Sequence, residues 1–202
     1  MEKEKEKTTV ACIGDSITYG YGILDTLNYS YPATLQRLLG NLYEVKNFGA
    51  NGTTVLSSPC SYSMTVECEN ALNFGADINI IELGANDLLY ITERESEFIR
   101  SFHLLLDAFL SIPKTKLYVC SLSPILNIYG FSTNEVTQRH DIIQKLLIGI
   151  TEEYSLPFIN LWSPLNDAIG FNPKILLDGI HPSVEGASII ANCVRNAIIE
   201  GE

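Results

Sequence analysis

The chain has 202 residues, of which 46% are hydrophobic, and this is enough to bury one sizeable core in a single domain. Its formal net charge is −11, which argues against nucleic acid as a partner, because phosphate binding needs a basic surface. A negative surface is not attracted to anionic lipid headgroups, and no apolar run approaches the roughly 20 residues that span a bilayer, so we expect no stable membrane insertion. Composition leaves the oligomeric state open.

The N-terminus alternates charged residues over 1–7, and no apolar segment follows that could act as a signal peptide. We expect residues 1–8 to be a flexible, charged lead-in and residues 9–202 to form the folded domain. The lack of a signal favours a cytoplasmic protein, although a secreted protein whose signal had been removed would look the same.

The five cysteines show no metal-type Cys-x-x-Cys spacing. Cys12, Cys120 and Cys193 lie in apolar runs and are predicted to be buried thiols. Cys60 and Cys68 share one loop-like segment and could form a disulfide in an oxidising compartment, which the sequence does not indicate.

Strand-like and helix-like patterns alternate along the chain. In chain order, the predicted elements are a strand over 10–13, a helix over 31–39, a strand over 43–48, a helix over 65–73, a strand over 77–83, a helix over 93–112, a strand over 116–122, a helix over 133–154, a strand over 158–161 and a helix beginning near 183. Residues 20–30 and 162–182 are predicted to be irregular. Strands alternating with helices form parallel β-α-β units, so the sequence predicts an α/β fold whose five-stranded parallel sheet is covered on both faces.

Polar motifs directly follow three of the predicted strands. They are Gly14-Asp15-Ser16, the segment from Gly49 to Gly52, and Gly84-Ala85-Asn86-Asp87. A fourth polar cluster, Asp178-Gly179-Ile180-His181, precedes the last helix. Because ligands bind beyond the carboxyl ends of parallel strands, the three strand-end motifs are expected at one edge of the sheet.

These residue types match the needs of acyl transfer from an ester: a nucleophile, a base, a group that orients the base, and donors for the developing oxyanion. Ser16 can supply the nucleophile, and His181 the base, since imidazole ionises near neutral pH. Asp178 lies three residues before His181, so a single turn could bring its carboxylate to the imidazole. Gly52 would offer an unobstructed backbone N–H and Asn86 its side-chain NH2.

Each motif also has a simpler interpretation. Gly14-Asp15-Ser16 could be only a turn, and Asn86-Asp87 could only cap the next segment. Asp178 and His181 have the spacing of a metal pair, but the other two histidines fall on predicted helices away from the motifs. The glycine-rich second motif has no Lys and Ser/Thr at the spacing of a phosphate-binding loop. We therefore predict no metal and no cofactor.

Taken in order, the four motifs resemble the signature blocks of the SGNH hydrolases, also called the GDSL esterase/lipase family. The blocks are Gly14-Asp15-Ser16-Ile17, Asn47-Phe48-Gly49-Ala50-Asn51-Gly52-Thr53, Gly84-Ala85-Asn86-Asp87 and Asp178-Gly179-Ile180-His181-Pro182, and they span nearly the whole chain. Ile17 stands where the family name implies leucine, which exchanges one apolar residue for another.

The resemblance implies a single three-layer domain with a five-stranded parallel sheet between helices, in flavodoxin-like strand order. It also implies a catalytic triad of Ser16, His181 and Asp178. The N–H groups of Ser16 and Gly52 and the amide of Asn86 would form the oxyanion hole.

Three functions remain open at this point. The first is a serine esterase that removes small acyl groups, most plausibly acetyl, from a carbohydrate or a related small molecule. The second is a lysophospholipase or acyl-thioesterase, which would need a long apolar groove, with residues 57–75 and 123–131 as the candidate segments. The third is a non-catalytic binding module on the same fold, against which the intact Ser16, Asp178 and His181 argue.

Overall fold

The computed structural model describes residues 7–201 and contains one parallel sheet. Its strands are β1 (Thr8–Gly14), β2 (Tyr43–Gly49), β3 (Ile78–Glu82), β4 (Lys116–Cys120) and β5 (Phe158–Ile159), in the order β2-β1-β3-β4-β5. This is the flavodoxin-like order. All five residues of β3 are buried, as are the last five of β1, because helices cover the sheet on both faces. The predicted fold class is therefore confirmed.

Between residues 7 and 201, eight α-helices connect and cover the strands. They are α1 (Ser16–Tyr19), α2 (Thr26–Tyr29), α3 (Tyr31–Leu39), α4 (Val66–Phe74), α5 (Glu95–Leu110), α6 (Thr133–Glu153), α7 (Trp162–Phe171) and α8 (Val184–Glu200). Helix α3 packs against α8 on one face of the sheet, and α5 packs against α6. The connection from β1 through α3 to β2 runs toward one edge of the sheet, whereas the connections through α4, α5 and α6 run toward the other edge. Because such crossovers are right-handed, α4, α5 and α6 lie on the face opposite to α3.

The prediction of an irregular stretch over 162–182 is wrong at its start, because α7 occupies Trp162–Phe171. The side chain of Leu161, the residue before this helix, cannot cap it, and the local cap is Oδ1 of Asn160, which accepts from the N–H of Ser163 at 3.1 Å. In addition, the hydroxyl oxygen of Ser121 accepts hydrogen bonds from the N–H groups of Leu161 (2.8 Å) and Trp162 (3.1 Å). The short helix α2 likewise lies in the predicted loop over 20–30.

Three sequence predictions concern parts of the chain outside the site: the N-terminus, membrane insertion and the cysteines. The predicted lead-in over 1–8 lies mostly outside the described residues, and Thr8 is the first residue of β1. No helix within residues 7–201 is long and apolar enough to cross a membrane. All five cysteines are unpaired thiols in this structure, with Cys60 exposed and Cys68 buried.

Candidate active site

Ser16 lies at the carboxyl end of β1, in the first turn of α1. The Asp15 carboxylate caps this turn by accepting a 2.9 Å hydrogen bond from the N–H of Ile17. Gly14 pairs with Gly49 of β2 and with Glu82 of β3, so the ends of three strands meet here as predicted. A side chain at Gly14 would collide with the Thr18 side chain and the Glu82 carbonyl, which explains the need for glycine at this position.

His181 and Asp178 lie beside Ser16 although they are about 165 residues away in sequence. Nε2 of His181 is 3.0 Å from the hydroxyl oxygen of Ser16, and Nδ1 is 2.7 Å from Oδ2 of Asp178. The structure therefore brings together the three residues predicted as nucleophile, base and orienting carboxylate. Ser16 is only 8% exposed, whereas the side chain of Asp178 is about half exposed at 49%.

The hydrogen bonds indicate which ring nitrogen of His181 carries the proton. Partial burial alone would raise the pKa of Asp178, but hydrogen bonds from the backbone and ring of His181 and from the N–H of Ile180 outweigh it, so its pKa lies below the ordinary value. The ionised carboxylate can only accept, and Nδ1 of His181 must then carry its proton. Nε2 is left as an acceptor for the Ser16 hydroxyl.

The turn that carries these two residues is held from several sides. Oδ1 of Asp178 accepts from the N–H groups of Ile180 (3.0 Å) and His181 (2.8 Å). The side chain of Asn127 donates to the Asp178 carbonyl at 3.3 Å. Gly179 has a φ of 87° and faces the Asn127 side chain so closely that any side chain there would collide with it. The three-residue spacing, with Gly179 in the turn, lets Asp178 reach the ring of His181 while that ring faces Ser16.

Asn86 lies between the first two motifs. Its Nδ2 donates to the carbonyl of Thr53 at 2.9 Å and makes a longer 3.3 Å contact with Oδ2 of Asp15. One partner is thus the neighbour of Gly52 and the other is the neighbour of Ser16. The structure brings the Asn86 amide to both predicted backbone donors, while Gly52 itself is exposed on a turn with a φ of 73°.

Asp87 anchors the loop that carries Gly52, a role that sequence reasoning missed. Its carboxylate accepts hydrogen bonds from the N–H groups of Val55 (2.9 Å) and Leu56 (2.8 Å). The side chain is fully buried. Asp87 does not cap the segment that follows it, as the simpler interpretation proposed, but ties the second motif to the third.

Three buried carboxyl groups surround the base of the site: Asp15, Glu82 and Asp87. Burial raises the pKa of Asp87 to about 6, against hydrogen bonds from Leu56 and Val55 that lower it. Burial and the nearby charge of Asp87 raise the pKa of Asp15, and burial together with the charge of Asp15 raises that of Glu82 well above its ordinary value. Each of these carboxyl groups therefore gives up its proton at a higher pH than an exposed carboxyl group would.

Two further residues of the site gave a weak signal in the sequence. Asn47, in the second motif, donates to the carbonyls of Thr18 (3.0 Å) and Tyr19 (3.3 Å), and so fixes the end of α1. Tyr21 places its ring 4.6 Å from the imidazole of His181, centroid to centroid. Its only sequence signal is its position between two glycines.

The described residues show no arrangement for a metal ion. No group of three or more His, Cys, Asp or Glu is placed to hold one within residues 7–201. Nδ1 of His181 is engaged by Asp178 and Nε2 by Ser16, so both ring nitrogens already have partners in the line described above.

Comparison with protein families adds a match over most of the chain. The model of the GDSL-like lipase/acylhydrolase family matches residues 12–189, a range that includes all four polar motifs. An acetylxylan esterase from Xylanibacter ruminicola is 31% identical over an alignment 216 positions long. That alignment covers 96% of this chain but only 44% of the relative, so the chain spans less than half of that protein's length.

Solved structures with the same fold include two further esterases. A carbohydrate acetylesterase from Sinorhizobium meliloti superposes with a TM-score of 0.76 at 17% identity, covering 97% of this chain and 100% of the other. A catalytic mutant of an acetylxylan esterase from Geobacillus stearothermophilus gives 0.75 at 20% identity, covering 97% and 96%. At these identities the superpositions establish the shared fold.

Proposed function

Because the chain belongs to the GDSL-like lipase/acylhydrolase family, we propose that it is a serine esterase that hydrolyses small acyl esters. One observation carries the proposal: the line from the Ser16 hydroxyl through His181 to Asp178, with contacts of 3.0 and 2.7 Å. Such a line makes a weak alcohol nucleophile competent at neutral pH, because the proton it loses has an oriented acceptor.

The first half of the reaction forms an acyl-enzyme. The Ser16 oxygen attacks the ester carbonyl, and its proton passes to Nε2 of His181. The ionised Asp178 stabilises the imidazolium through Nδ1 without taking the proton itself. When the tetrahedral intermediate collapses, Nε2 returns the proton to the leaving alcohol oxygen, and the acyl group remains on Ser16.

The second half uses water in place of the alcohol. His181 removes a proton from water as the water oxygen attacks the acyl carbon. Collapse of this second intermediate breaks the bond to Ser16, which recovers its proton from His181. The products are the carboxylic acid and the free enzyme.

We assign the developing oxyanion to the N–H groups of Ser16 and Gly52 and to Nδ2 of Asn86. The 2.9 Å hydrogen bond to Thr53 keeps the Asn86 amide in place. Its 3.3 Å contact with Asp15 is the weaker of the two, and this N–H is the one available to a new acceptor. The raised pKa of Asp15 favours the same outcome, because a protonated Asp15 competes less for the amide and repels the oxyanion less.

An acetyl ester of a carbohydrate is the substrate class we propose. Its support is the 31% identity to an acetylxylan esterase, together with the fold shared with a carbohydrate acetylesterase.

A panel of esters tests the proposed function. Acetylated xylosides and p-nitrophenyl acetate should be hydrolysed, and rates should fall steeply as the acyl chain of p-nitrophenyl esters lengthens. Ser16→Ala should remove these activities. A preference for long acyl chains or acyl-CoA would instead support a lysophospholipase or thioesterase, and a folded protein with no hydrolysis of any ester would support a binding module.

A further inference from the structure

Tyr21 contacts two of the three residues in the proposed proton-transfer line, Ser16 and His181. Its backbone N–H donates to the carbonyl of Ser16 at 2.9 Å. Its ring lies 4.6 Å from that of His181, with the two planes tilted by 47°. The main chain and the side chain of one residue therefore contact the residues proposed as nucleophile and base.

The backbone around Tyr21 permits this double contact. Gly20 and Gly22 flank it with φ values of 93° and 84°, a region that favours glycine. A Cβ at Gly22 would lie 2.7 Å from Leu177 Cδ1, so the segment also approaches the turn that carries His181. The two glycines turn the chain sharply enough to lay the tyrosine ring beside the imidazole.

The Tyr21 ring is not part of the buried core. Tyr21 is 52% exposed, whereas the tyrosines of the core, such as Tyr31 and Tyr62, are 1% exposed. Within residues 7–201 its hydroxyl group makes no hydrogen bond. A half-exposed aromatic face with a free polar edge, fixed beside a reactive group, has the features of a ligand contact.

From this geometry we propose that Tyr21 is a specificity-determining residue that packs against the ring of a cyclic alcohol as it leaves. This inference rests on the proposed esterase function. The proton that completes the leaving alcohol comes from Nε2 of His181, so the alcohol oxygen must lie at that nitrogen when the bond to the acyl carbon breaks. The carbon skeleton attached to that oxygen then lies within reach of the Tyr21 ring. A pyranose, with a broad C–H face and hydroxyl groups at its edge, matches an aromatic face with a free phenol.

The test keeps the acyl group constant and changes the alcohol. The substrates are ethyl acetate and a methyl xyloside carrying one acetyl group. Tyr21→Leu should lower the ratio of kcat/KM for the xyloside to that for ethyl acetate by roughly 3- to 10-fold, the size of one lost aromatic contact. Most of this change should be in KM, and Tyr21→Phe, which keeps the ring, should restore most of the ratio.

The matched control is Tyr29→Leu, which removes a tyrosine of similar exposure (46%) whose ring contacts Arg37. It should leave the ratio at its wild-type value. An equal loss on both esters after Tyr21→Leu would overturn the inference, because it would mean that Tyr21 only positions His181. An unchanged ratio would overturn it as well.

A binding measurement separates this inference from the proposed function. In Ser16→Ala protein, the dissociation constant of the acetylated xyloside should rise roughly 3- to 10-fold when Tyr21 is changed to Leu. If the wild type hydrolyses no ester but binding still depends on Tyr21, the esterase proposal fails and the ligand contact stands. If the wild type hydrolyses the xyloside but the dissociation constant does not change when Tyr21 is replaced, the ligand contact alone is refuted.

Discussion

Replacing Asp178 by asparagine should abolish most activity while leaving the local fold in place. Oδ1 of Asp178 accepts from the N–H groups of Ile180 and His181, and the asparagine oxygen can keep both. Oδ2, 2.7 Å from Nδ1 of His181, would become an NH2 group. An NH2 group donates, so Nδ1 would have to accept, and the ring proton would move to Nε2. Nε2 could then no longer take the proton of Ser16.

The expected loss is on the order of 10⁴ in kcat, as for the same change in the well-studied serine proteases, or roughly 5 kcal/mol of transition-state stabilisation. The assay is hydrolysis of p-nitrophenyl acetate across pH. Because the pKa of Asp178 lies below its ordinary value, its carboxylate should stay ionised into mildly acidic pH, and protonation of Asp178 should not limit wild-type kcat/KM there.

Asp25→Asn is the matched control. Asp25 is exposed, and its carboxylate also accepts from a backbone N–H, that of Asn28 at 3.2 Å, at the start of α2. It should keep wild-type rates. Full activity in Asp178→Asn, with an unchanged circular dichroism spectrum, would refute the argument from the tautomer.

Three further predictions follow from the site. Asn86→Ala should lower kcat roughly 10²- to 10³-fold with a smaller change in KM, because the oxyanion charge develops mainly in the transition state; a loss confined to KM would contradict the assignment. Burial raises the pKa of Asp87 to about 6, so ionising this group costs native stability as pH rises from about 4 to 6. Relative to wild type, Asp87→Asn should therefore gain about 3 kcal/mol in the free energy of unfolding over that interval, measured by urea titration. If the free energies of unfolding of the two proteins instead change in parallel with pH, the raised pKa of Asp87 is refuted. EDTA should leave the rate unchanged, since no step of the proposed mechanism needs a metal, whereas inactivation that zinc reverses would favour a metal site.

The sheet was predictable because its signal is local. The runs that became β1, β3 and β4 are short and apolar, as strands buried on both faces must be. Helix α7 was missed because the N–H groups of Leu161 and Trp162 are satisfied by Ser121, about 40 residues earlier, and the local cap at its start is Asn160, which accepts from the N–H of Ser163. Helices α1 and α2 are four residues each, too short to show a helical period.

In the candidate site, too, some features could be predicted from the sequence and others could not. Ser16, Asn86, Asp178 and His181 could be proposed from residue type and order, and the structure places them at one edge of the sheet. The contacts that hold these residues in place could not be predicted from the sequence. The hydrogen bonds of Asp87 to Val55 and Leu56, and the ring contact of Tyr21 with His181, join segments that are distant in sequence, and only the folded chain shows which segments meet.

The nucleophile is tested most directly by a fluorophosphonate probe, which forms a covalent bond with an activated serine. Intact mass should show one probe on the wild-type chain, and peptide mapping should place it on Ser16. Ser16→Ala, folded by circular dichroism, should take up none. Labelling that survives this substitution, or the lack of any label on folded wild-type protein, would contradict the claim that Ser16, His181 and Asp178 form a working triad.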